Sequence, residues 1–333
     1  VEQAVKYAEQ TRMDFAAQST VDHLLQEYGL ATEEGVELMR LCEALIRTPD
    51  FATARLLVRD KFLNADWASH AGGSSHFMVN RATNGLQVAQ GWIRRSGGKQ
   101  GRSLAAKIGD YPLAVAVLRT MRLLGGHFVF AQSIGTALKK ARKTKELFSF
   151  DMLGEAAYTE ADSEKYFDVY LEATRAIVEA SDRKKRVSEN HGISVKLSAL
   201  HPRYEYANRD TCVPVIVRRL VQICKEAKRG NIGVTIDAEE AERLEVSLLV
   251  MERLLAAPDL ADWDGLGIVV QAYQRRASRL VEELIRLSKL YRRRLCVRLV
   301  KGAYWDSEIK RAQELGLESY PVFTRRATTD LSY

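Results

Sequence analysis

Four polar or charged side chains stand at the ends of short apolar runs in the second half of this sequence. They are Lys196 in ISVKLSAL, Asp237 in VTIDAEE, Gln271 in GIVVQAY and Arg298 in RLVKGAYW, where Lys301 follows. A lysine or an arginine can hold an anionic substrate group, and a neighbouring carboxylate can stay ionised and fix the geometry of either cation. The amide of Gln271 both donates and accepts, as recognition of a heterocycle edge requires. Together these residues predict an active site.

Several of these residues also have other interpretations, structural or functional. Lys196 could extend its stem towards a solvent-exposed rim, or form a Schiff base with a carbonyl substrate. Asp237 could cap the helix that follows it, while Glu239 and Glu240 fit acidic residues of a first helical turn. The turn KGAY that begins at Lys301 could let a phosphate approach the backbone ahead of a helix. The sequence leaves these alternatives open.

The apolar runs are rich in β-branched residues or leucine, and helical stretches separate them at about 213–229, 240–255 and 277–290. A strand therefore recurs roughly every thirty to forty residues, as in βαβ units. Continuous apolar runs are typical of parallel strands that are buried on both faces. FSFDMLG, residues 148–154, fits an earlier strand with Asp151 near its end, and an amphipathic helix is predicted over 163–180. Polar residues at the ends of successive parallel strands indicate the active face of a (β/α) barrel.

We therefore predict an α/β chain, in which a (β/α)8 TIM-type barrel follows an all-α region. Residues 1–127, with helical spacing of apolar residues, are assigned to a helical arm and domain. Residues 128–333 are assigned to the N-terminal portion of the barrel, with about five strands present. Because a closed barrel needs eight strands, we expect a truncated barrel or a segment of a longer protein.

Composition and charge limit the kinds of site and binding partner that the sequence predicts. The 333 residues contain no apolar run long enough to span a membrane, and the charged N-terminus does not resemble a secretory signal. The four cysteines lack CxxC spacing and the six histidines lack paired metal-ligand spacing, so we predict no metal site. A net charge of +7 permits attraction to nucleic acid or to an anionic membrane. The basic runs lack the interleaved aromatic residues of a single-strand binder.

Five motifs in order carry a resemblance to a known family. FSFDMLGEAAYT, ISVKLSALHPRYE, VTIDAEEAERLE, GIVVQAYQRR and RLVKGAYWDSEIKRAQ look like the proline dehydrogenase domain of the bacterial proline utilization A family. The strong part of the resemblance covers about residues 148–333, and the helical half is similar to that family's arm and helical domain. It implies FAD-dependent oxidation of L-proline to Δ1-pyrroline-5-carboxylate, with hydride transfer to flavin N5 and electrons passed on to a membrane quinone.

The resemblance also implies roles for individual residues. Lys196 would pair with the proline carboxylate, Asp237 would border both substrate and flavin, and Tyr304 would lie against the proline ring. Gln271 and Arg298 would hydrogen-bond the isoalloxazine ring, with Arg298 near N5. The remaining FAD contacts would come from Lys301, Gly302, Ala303, Trp305, Thr324, Arg325 and Thr329. The family more usually has lysine at the position of Arg325.

The implied partners are L-proline, a quinone acceptor and, in the parent protein, an aldehyde dehydrogenase half. The resemblance implies a cytoplasmic location peripheral to the inner membrane, and no nucleic acid bound by this region. The family's tyrosine and arginine pair that clamp the proline carboxylate would lie beyond Tyr333. Three alternatives remain: a Schiff-base aldolase-type barrel that uses Lys196 or Lys301, an inactive barrel fragment, and a nucleic-acid-binding module in the helical half.

Overall fold

A computed structural model describes residues 129–333, apart from Leu153 and Glu155, together with a few N-terminal positions of helical backbone: Gln3, Val5, Lys6, Tyr7, Glu9, Gln10 and Thr53. The chain divides into two compact units, Val1–Ala131 and Gln132–Tyr333. The division falls a few residues after the predicted boundary between residues 127 and 128, and the assignment of domains stays a prediction. Apart from those few positions, the helices predicted within residues 1–127 lie outside the described residues.

The second unit is built on five parallel strands. These are β1 (Ser149–Asp151), β2 (Gly192–Val195), β3 (Val234–Ile236), β4 (Leu266–Gln271) and β5 (Cys296–Val300). They lie in one sheet in sequence order, and each strand pairs in parallel with the next one along the chain. Parallel neighbours in sequence order, joined by helices, are the arrangement of a (β/α) barrel. The predicted α/β barrel-type fold is confirmed.

Helices connect the strands and cover the sheet. In chain order they are α1 (Ile134–Ala141), α2 (Glu160–Ala180), α3 (Arg209–Gly230), α4 (Leu244–Ala256), α5 (Ala277–Tyr291), α6 (Trp305–Glu314) and α7 (Arg326–Ser332). Apolar residues at helical spacing bury one side of α3, where Ile216, Leu220 and Ile223 are fully buried. The helices thus supply the second layer that a parallel sheet requires.

The middle of the sheet forms the centre of the core, and every residue of β4 is buried. This strand reads LGIVVQ, and its continuous apolar run fits a strand with a neighbour on each side and helices above it. Among the described residues β5 pairs only with β4, and its Val297 and Leu299 are 44% and 37% exposed. The core therefore becomes less complete towards β5.

Several predicted helix boundaries were wrong by three or four residues. The helix α2 begins at Glu160 rather than Ser163, because Thr159 and Asp162 form a capping box. A short 3-10 turn, Ala241–Arg243, precedes α4, so α4 begins at Leu244. Glu239 and Glu240 therefore lie ahead of the helical segment, and their interpretation as acids of a first helical turn was wrong. The helix α7 was not predicted.

Candidate active site

The predicted cation Lys196 is held between two carboxylates from the neighbouring strands. It follows β2, and its Nζ lies 2.6 Å from Asp151 Oδ2 at the end of β1 and 3.2 Å from Asp237 Oδ2 after β3. The side chains of Lys196 and Asp237 are only 16% and 10% exposed, so this pair is largely shielded from water. Asp237 is not the side-chain cap of the following helical turn, and its cation-binding interpretation fits the structure better.

Arg298 on β5 completes this charged cluster. Its guanidinium donates to Asp237 Oδ1 and to Ser194 Oγ, the latter at 2.9 Å, and the hydroxyl of Ser149 lies 2.9 Å from Ser194. Neighbouring strands lie about 4.8 Å apart, so β2 and β5 would be about 14 Å apart in a flat sheet. A hydrogen bond between them requires that the sheet curve and bring Arg298 over its concave side. On this concave side Arg298 has both a carboxylate and a hydroxyl as acceptors.

The charges of the cluster depend on its partial burial. Burial alone would lower the pKa of the Lys196 ammonium, but the hydrogen bond that it donates to Asp151 and the charge of Asp237 raise that pKa above its usual value. Burial raises the pKa of the Asp237 carboxyl, against the opposing effect of Lys196 and Arg298. Lys196 is therefore a protonated ammonium at neutral pH, suited to bind an anion and a poor amine nucleophile.

Tyr170 holds the backbone just after β2. This α2 residue is 1% exposed, and its hydroxyl accepts a hydrogen bond from the backbone N–H of Lys196 at 3.2 Å. Burial raises the pKa of the phenol well above its usual value, so the hydroxyl stays neutral. The main chain of Lys196 is thus fixed independently of its side chain.

Gln271, the last residue of β4, joins the loops that follow β3 and β5. Its Nε2 donates to the backbone oxygen of Glu239 at 2.8 Å, and its Oε1 accepts from the backbone N–H of Ala303 at 3.1 Å. Glu239 in turn accepts from the backbone N–H of Ser198 at 3.0 Å and from Arg243 at 2.7 Å. These bonds tie the loops after β2, β3 and β5 to the end of β4. The flavin contact of Gln271 stays a prediction.

The turn after β5 packs closely on an aromatic ring. Gly302 has φ +139°, and a Cβ at this position would lie 2.5 Å from the ring of Tyr273. The hydroxyl of Tyr273 accepts from the backbone N–H of Tyr304 at 3.3 Å. The indole of Trp305 donates to the backbone oxygen of Phe323 at 2.9 Å and is 42% exposed. The glycine is therefore required by backbone conformation and by packing.

The other predicted cofactor residues lie along the C-terminal segment. Lys301 pairs with Asp330 at 2.5 Å, with both side chains nearly half exposed. Thr324 and Arg325 are exposed ahead of α7, whereas Thr329 within α7 is buried. The structure thus joins Lys196 and Arg298 through Asp237. It places the remaining predicted residues at the end of β4, in the turn after β5 and along the segment from α6 to α7. Their roles stay predictions.

Sequence reasoning missed several residues of this site. Asp151, Ser194, Tyr170 and Glu239 contact the predicted residues but were not predicted as members of the site. A polar residue at the end of the first predicted strand was a signal for Asp151, since the neighbouring strand carries Lys196. No signal in the sequence distinguished Tyr170 from an ordinary buried aromatic residue of an amphipathic helix.

Other surfaces of the described unit lie apart from this cluster. A cleft of about 670 Å³ is lined by the beginnings of α4 and α5, by α6 and by the loop after α6. None of the predicted site residues lines it. Within residues 129–333 and the few described N-terminal positions, no group of His, Cys, Asp and Glu could hold a metal ion. In the same part of the chain, no helix is both long and apolar enough to cross a membrane.

Two protein-family descriptions match successive parts of the chain. Residues 135–333 match "Proline dehydrogenase", and residues 20–128 match "DNA-binding domain of Proline dehydrogenase". The second description weighs against the prediction that no nucleic acid binds this region.

Curated relatives match almost the whole chain. It is 46% identical to the Bifunctional protein PutA of Klebsiella aerogenes, with 100% of this chain and 26% of that protein covered. It is 48% identical to the Salmonella typhimurium protein of the same name, with 94% and 24% covered. The chain thus spans about a quarter of the length of the curated relatives that it matches.

Solved structures agree with the fold. A bifunctional proline utilization A (PutA) protein superposes with a TM-score of 0.66 at 40% identity, with 95% of this chain and 32% of that chain covered. The proline utilization A of Bdellovibrio bacteriovorus superposes with a TM-score of 0.68 at 22% identity, covering 100% of this chain and 32% of that one. The latter likeness concerns the fold alone.

Proposed function

Because this chain belongs to the proline dehydrogenase family, we propose that its barrel sheet oxidises L-proline to Δ1-pyrroline-5-carboxylate with FAD as the acceptor. The single observation that carries the proposal is the contact among Lys196, Asp237 and Arg298 on the concave side of the sheet. This contact fixes two cations of different chemistry beside each other. Lys196 is suited to an anionic substrate, and Arg298 is suited to a cofactor that presents several hydrogen-bond acceptors.

Lys196 is the group we assign to the carboxylate of L-proline. Its ammonium is protonated at neutral pH, because Asp151 and Asp237 raise its pKa. Carboxylates form shorter and stronger hydrogen bonds with an ammonium than neutral acceptors do. Tyr170 holds the main chain of Lys196 by a hydrogen bond. This contact restricts the position of the side chain, so its ammonium can orient the substrate.

Arg298 is the group we assign to the flavin. A guanidinium carries five N–H donors, and two of those of Arg298 bond Ser194 and Asp237. The side chain remains 40% exposed, so further donors can reach a ring that presents several acceptors. The aromatic side chains of Tyr304 and Trp305 and the exposed Thr324 lie on the segment proposed to complete the cofactor site. Bound FAD would supply the two-electron oxidation as a hydride acceptor.

The wider assignments rest on the relatives and on charge. The relatives are named bifunctional and are about four times as long as this chain, which supports an aldehyde dehydrogenase half elsewhere in a longer protein. Transfer of electrons to a quinone, and a cytoplasmic location peripheral to the inner membrane, are further parts of the proposal. The net charge of +7 suits contact with an anionic membrane surface.

DNA binding by residues 20–128 is a second candidate function, because that stretch matches a family described as a DNA-binding domain. A protein that neutralises phosphates loses affinity steeply as salt rises. Measurement of DNA affinity at several salt concentrations would test it. Affinity that is undetectable at low salt would exclude this function.

The first experiment is a flavin absorbance spectrum of the purified chain with added FAD, recorded without oxygen before and after addition of L-proline. We expect bleaching in the wild type and in Lys225→Met, which removes an exposed lysine from a surface pair. Lys196→Met should bind FAD but bleach far less. A wild-type protein that binds FAD and is not bleached would refute proline oxidation by this chain.

The aldolase-type alternative makes the opposite prediction for the same lysine. A Schiff base needs a neutral amine, whereas the carboxylates around Lys196 favour its protonated form. Borohydride trapping with a carbonyl substrate should therefore leave Lys196 unmodified. Trapping at Lys196 in the wild type would support the aldolase instead.

A further inference from the structure

The nearest partner of the Lys196 ammonium is Asp151, a residue with no assigned role in the proposed reaction. Its Oδ2 lies 2.6 Å from Nζ, compared with 3.2 Å for Asp237. The two carboxylates differ in their surroundings. The side chain of Asp237 is 10% exposed and also binds Arg298, whereas that of Asp151 is 39% exposed. Of the two, Asp151 has the freer path to water.

The charges of the cluster are already balanced without a substrate. Lys196 and Arg298 provide two positive charges, and Asp151 and Asp237 provide two negative charges. A substrate carboxylate that approaches Lys196 would bring a third negative charge to an ammonium that Asp151 already occupies. Three carboxylates around one ammonium would repel one another strongly in a partly dry site. The departure of one carboxylate relieves this repulsion.

We propose that Asp151 is a positioning residue that holds the Lys196 ammonium when no substrate is bound and gives it up to the substrate carboxylate. The inference rests on the proposed function, in which L-proline supplies that carboxylate. Asp237 cannot take this part, because it is buried and fixed by Arg298. The charge of Asp151 thus lowers the affinity for L-proline, and keeps the ammonium in place between turnovers.

The test is calorimetric titration of L-proline into the chain with saturating FAD that has been reduced beforehand, so that binding is measured without oxidation. Asp151→Asn keeps the shape of the side chain and removes its charge, and we expect it to bind L-proline about fivefold more tightly. In steady-state turnover the KM should fall by a similar factor, and kcat should not rise. Asp151→Glu retains the charge and should behave as the wild type. Asp259→Asn, which breaks an exposed Lys–Asp pair elsewhere, is the matched control and should leave the affinity unchanged.

The outcomes separate this inference from the proposed function. Equal or weaker binding of L-proline by Asp151→Asn would overturn the role of Asp151, because a merely structural residue loses affinity when its hydrogen bond is removed. No binding by the wild type would overturn the proposed function and this inference together. Asp151→Ser is a smaller uncharged replacement and should show the same increase in affinity for L-proline. It replaces Asp151→Asn in the test if that variant does not fold.

Discussion

Lys196→Met probes the charged cluster most directly, because it removes the central cation and keeps a side chain of similar length. In the variant, Asp151 and Asp237 would face each other without the ammonium between them. Removing one partner of a buried ion pair is costly, since it leaves a charge that is neither hydrated nor paired. The cluster should therefore lose stability when Lys196 alone is replaced.

The magnitude follows from the distance and the burial of the pair. Two unit charges at the 3.2 Å that separates Lys196 from Asp237 attract by about 5 kcal/mol at an effective dielectric constant of about 20, which is an upper limit. Breaking a buried pair costs about 3–5 kcal/mol. Asp237 keeps its bond to Arg298, and the Asp151 side chain can turn to water. We therefore expect Lys196→Met to lower the free energy of unfolding by about 2–3 kcal/mol. This corresponds to a fall in Tm of about 5 to 10 °C for a unit of this size.

Asp237→Asn supplies the second arm of a double-mutant cycle. Burial raises the pKa of the Asp237 carboxyl, so removal of its charge recovers a desolvation cost that offsets the lost attraction. We expect this variant alone to change the free energy of unfolding by less than about 1 kcal/mol. In the Asp237→Asn background, Lys196→Met should lower the free energy of unfolding by about 1 kcal/mol or less. The coupling free energy between Lys196 and Asp237 is then about 2 kcal/mol.

Urea denaturation followed by far-ultraviolet circular dichroism measures the four free energies. The matched control is the Lys225–Asp259 pair, with a similar distance of 3.3 Å but side chains 55% and 56% exposed. Its coupling should stay below about 0.5 kcal/mol. If the Lys196–Asp237 coupling is no larger than that of the control, the cluster is not a shielded ion network.

Three further changes test the loops around the cluster. Burial raises the pKa of the Glu239 carboxyl above 4.5, so the folded protein binds a proton there more tightly than the unfolded chain does. The free energy of unfolding therefore falls as the pH rises from 4.5 through the raised pKa. Glu239→Gln should remove this fall in urea titrations at several pH values. Gln271→Met deprives the backbone groups of Glu239 and Ala303 of their partners and should lower the free energy of unfolding by about 2 kcal/mol, measured in urea. Gly302→Ala places a Cβ against Tyr273 at positive φ, and should cost about 2 kcal/mol or more by thermal unfolding.

Two of these changes, at Gln271 and Gly302, have matched controls in the chain. Gln222→Met on an exposed position of α3 should leave stability almost unchanged. Gly135→Ala within α1 meets no atom within 4 Å, and should stabilise by up to about 1 kcal/mol. An unchanged pH profile in Glu239→Gln would contradict the burial of that carboxylate. Variants of Gln271 or Gly302 that match their controls would show that the loops do not depend on these contacts.

The sequence was sufficient for the type of fold and for part of the site. Continuous apolar runs separated by helical periods predict a parallel sheet, because strands covered on both faces need apolar residues at every position. The end of each strand then identifies Lys196, Asp237 and Arg298 as candidates, since these ends meet on one face of a barrel. Helix starts were less well predicted. At Glu160 and Leu244 the boundary depends on a capping box or a 3-10 turn rather than on periodicity.

What the sequence by itself determined was thus the set of chemical groups and the edge of the sheet at which they lie. Only the tertiary structure decided which groups touch. Arg298 reaches Ser194, 104 residues earlier, because the sheet curves, and Asp151 reaches Lys196 because β1 and β2 are neighbours in register. Strand register and curvature come from the packing of the whole unit, so partners far apart in the chain carry no local pattern that would reveal them.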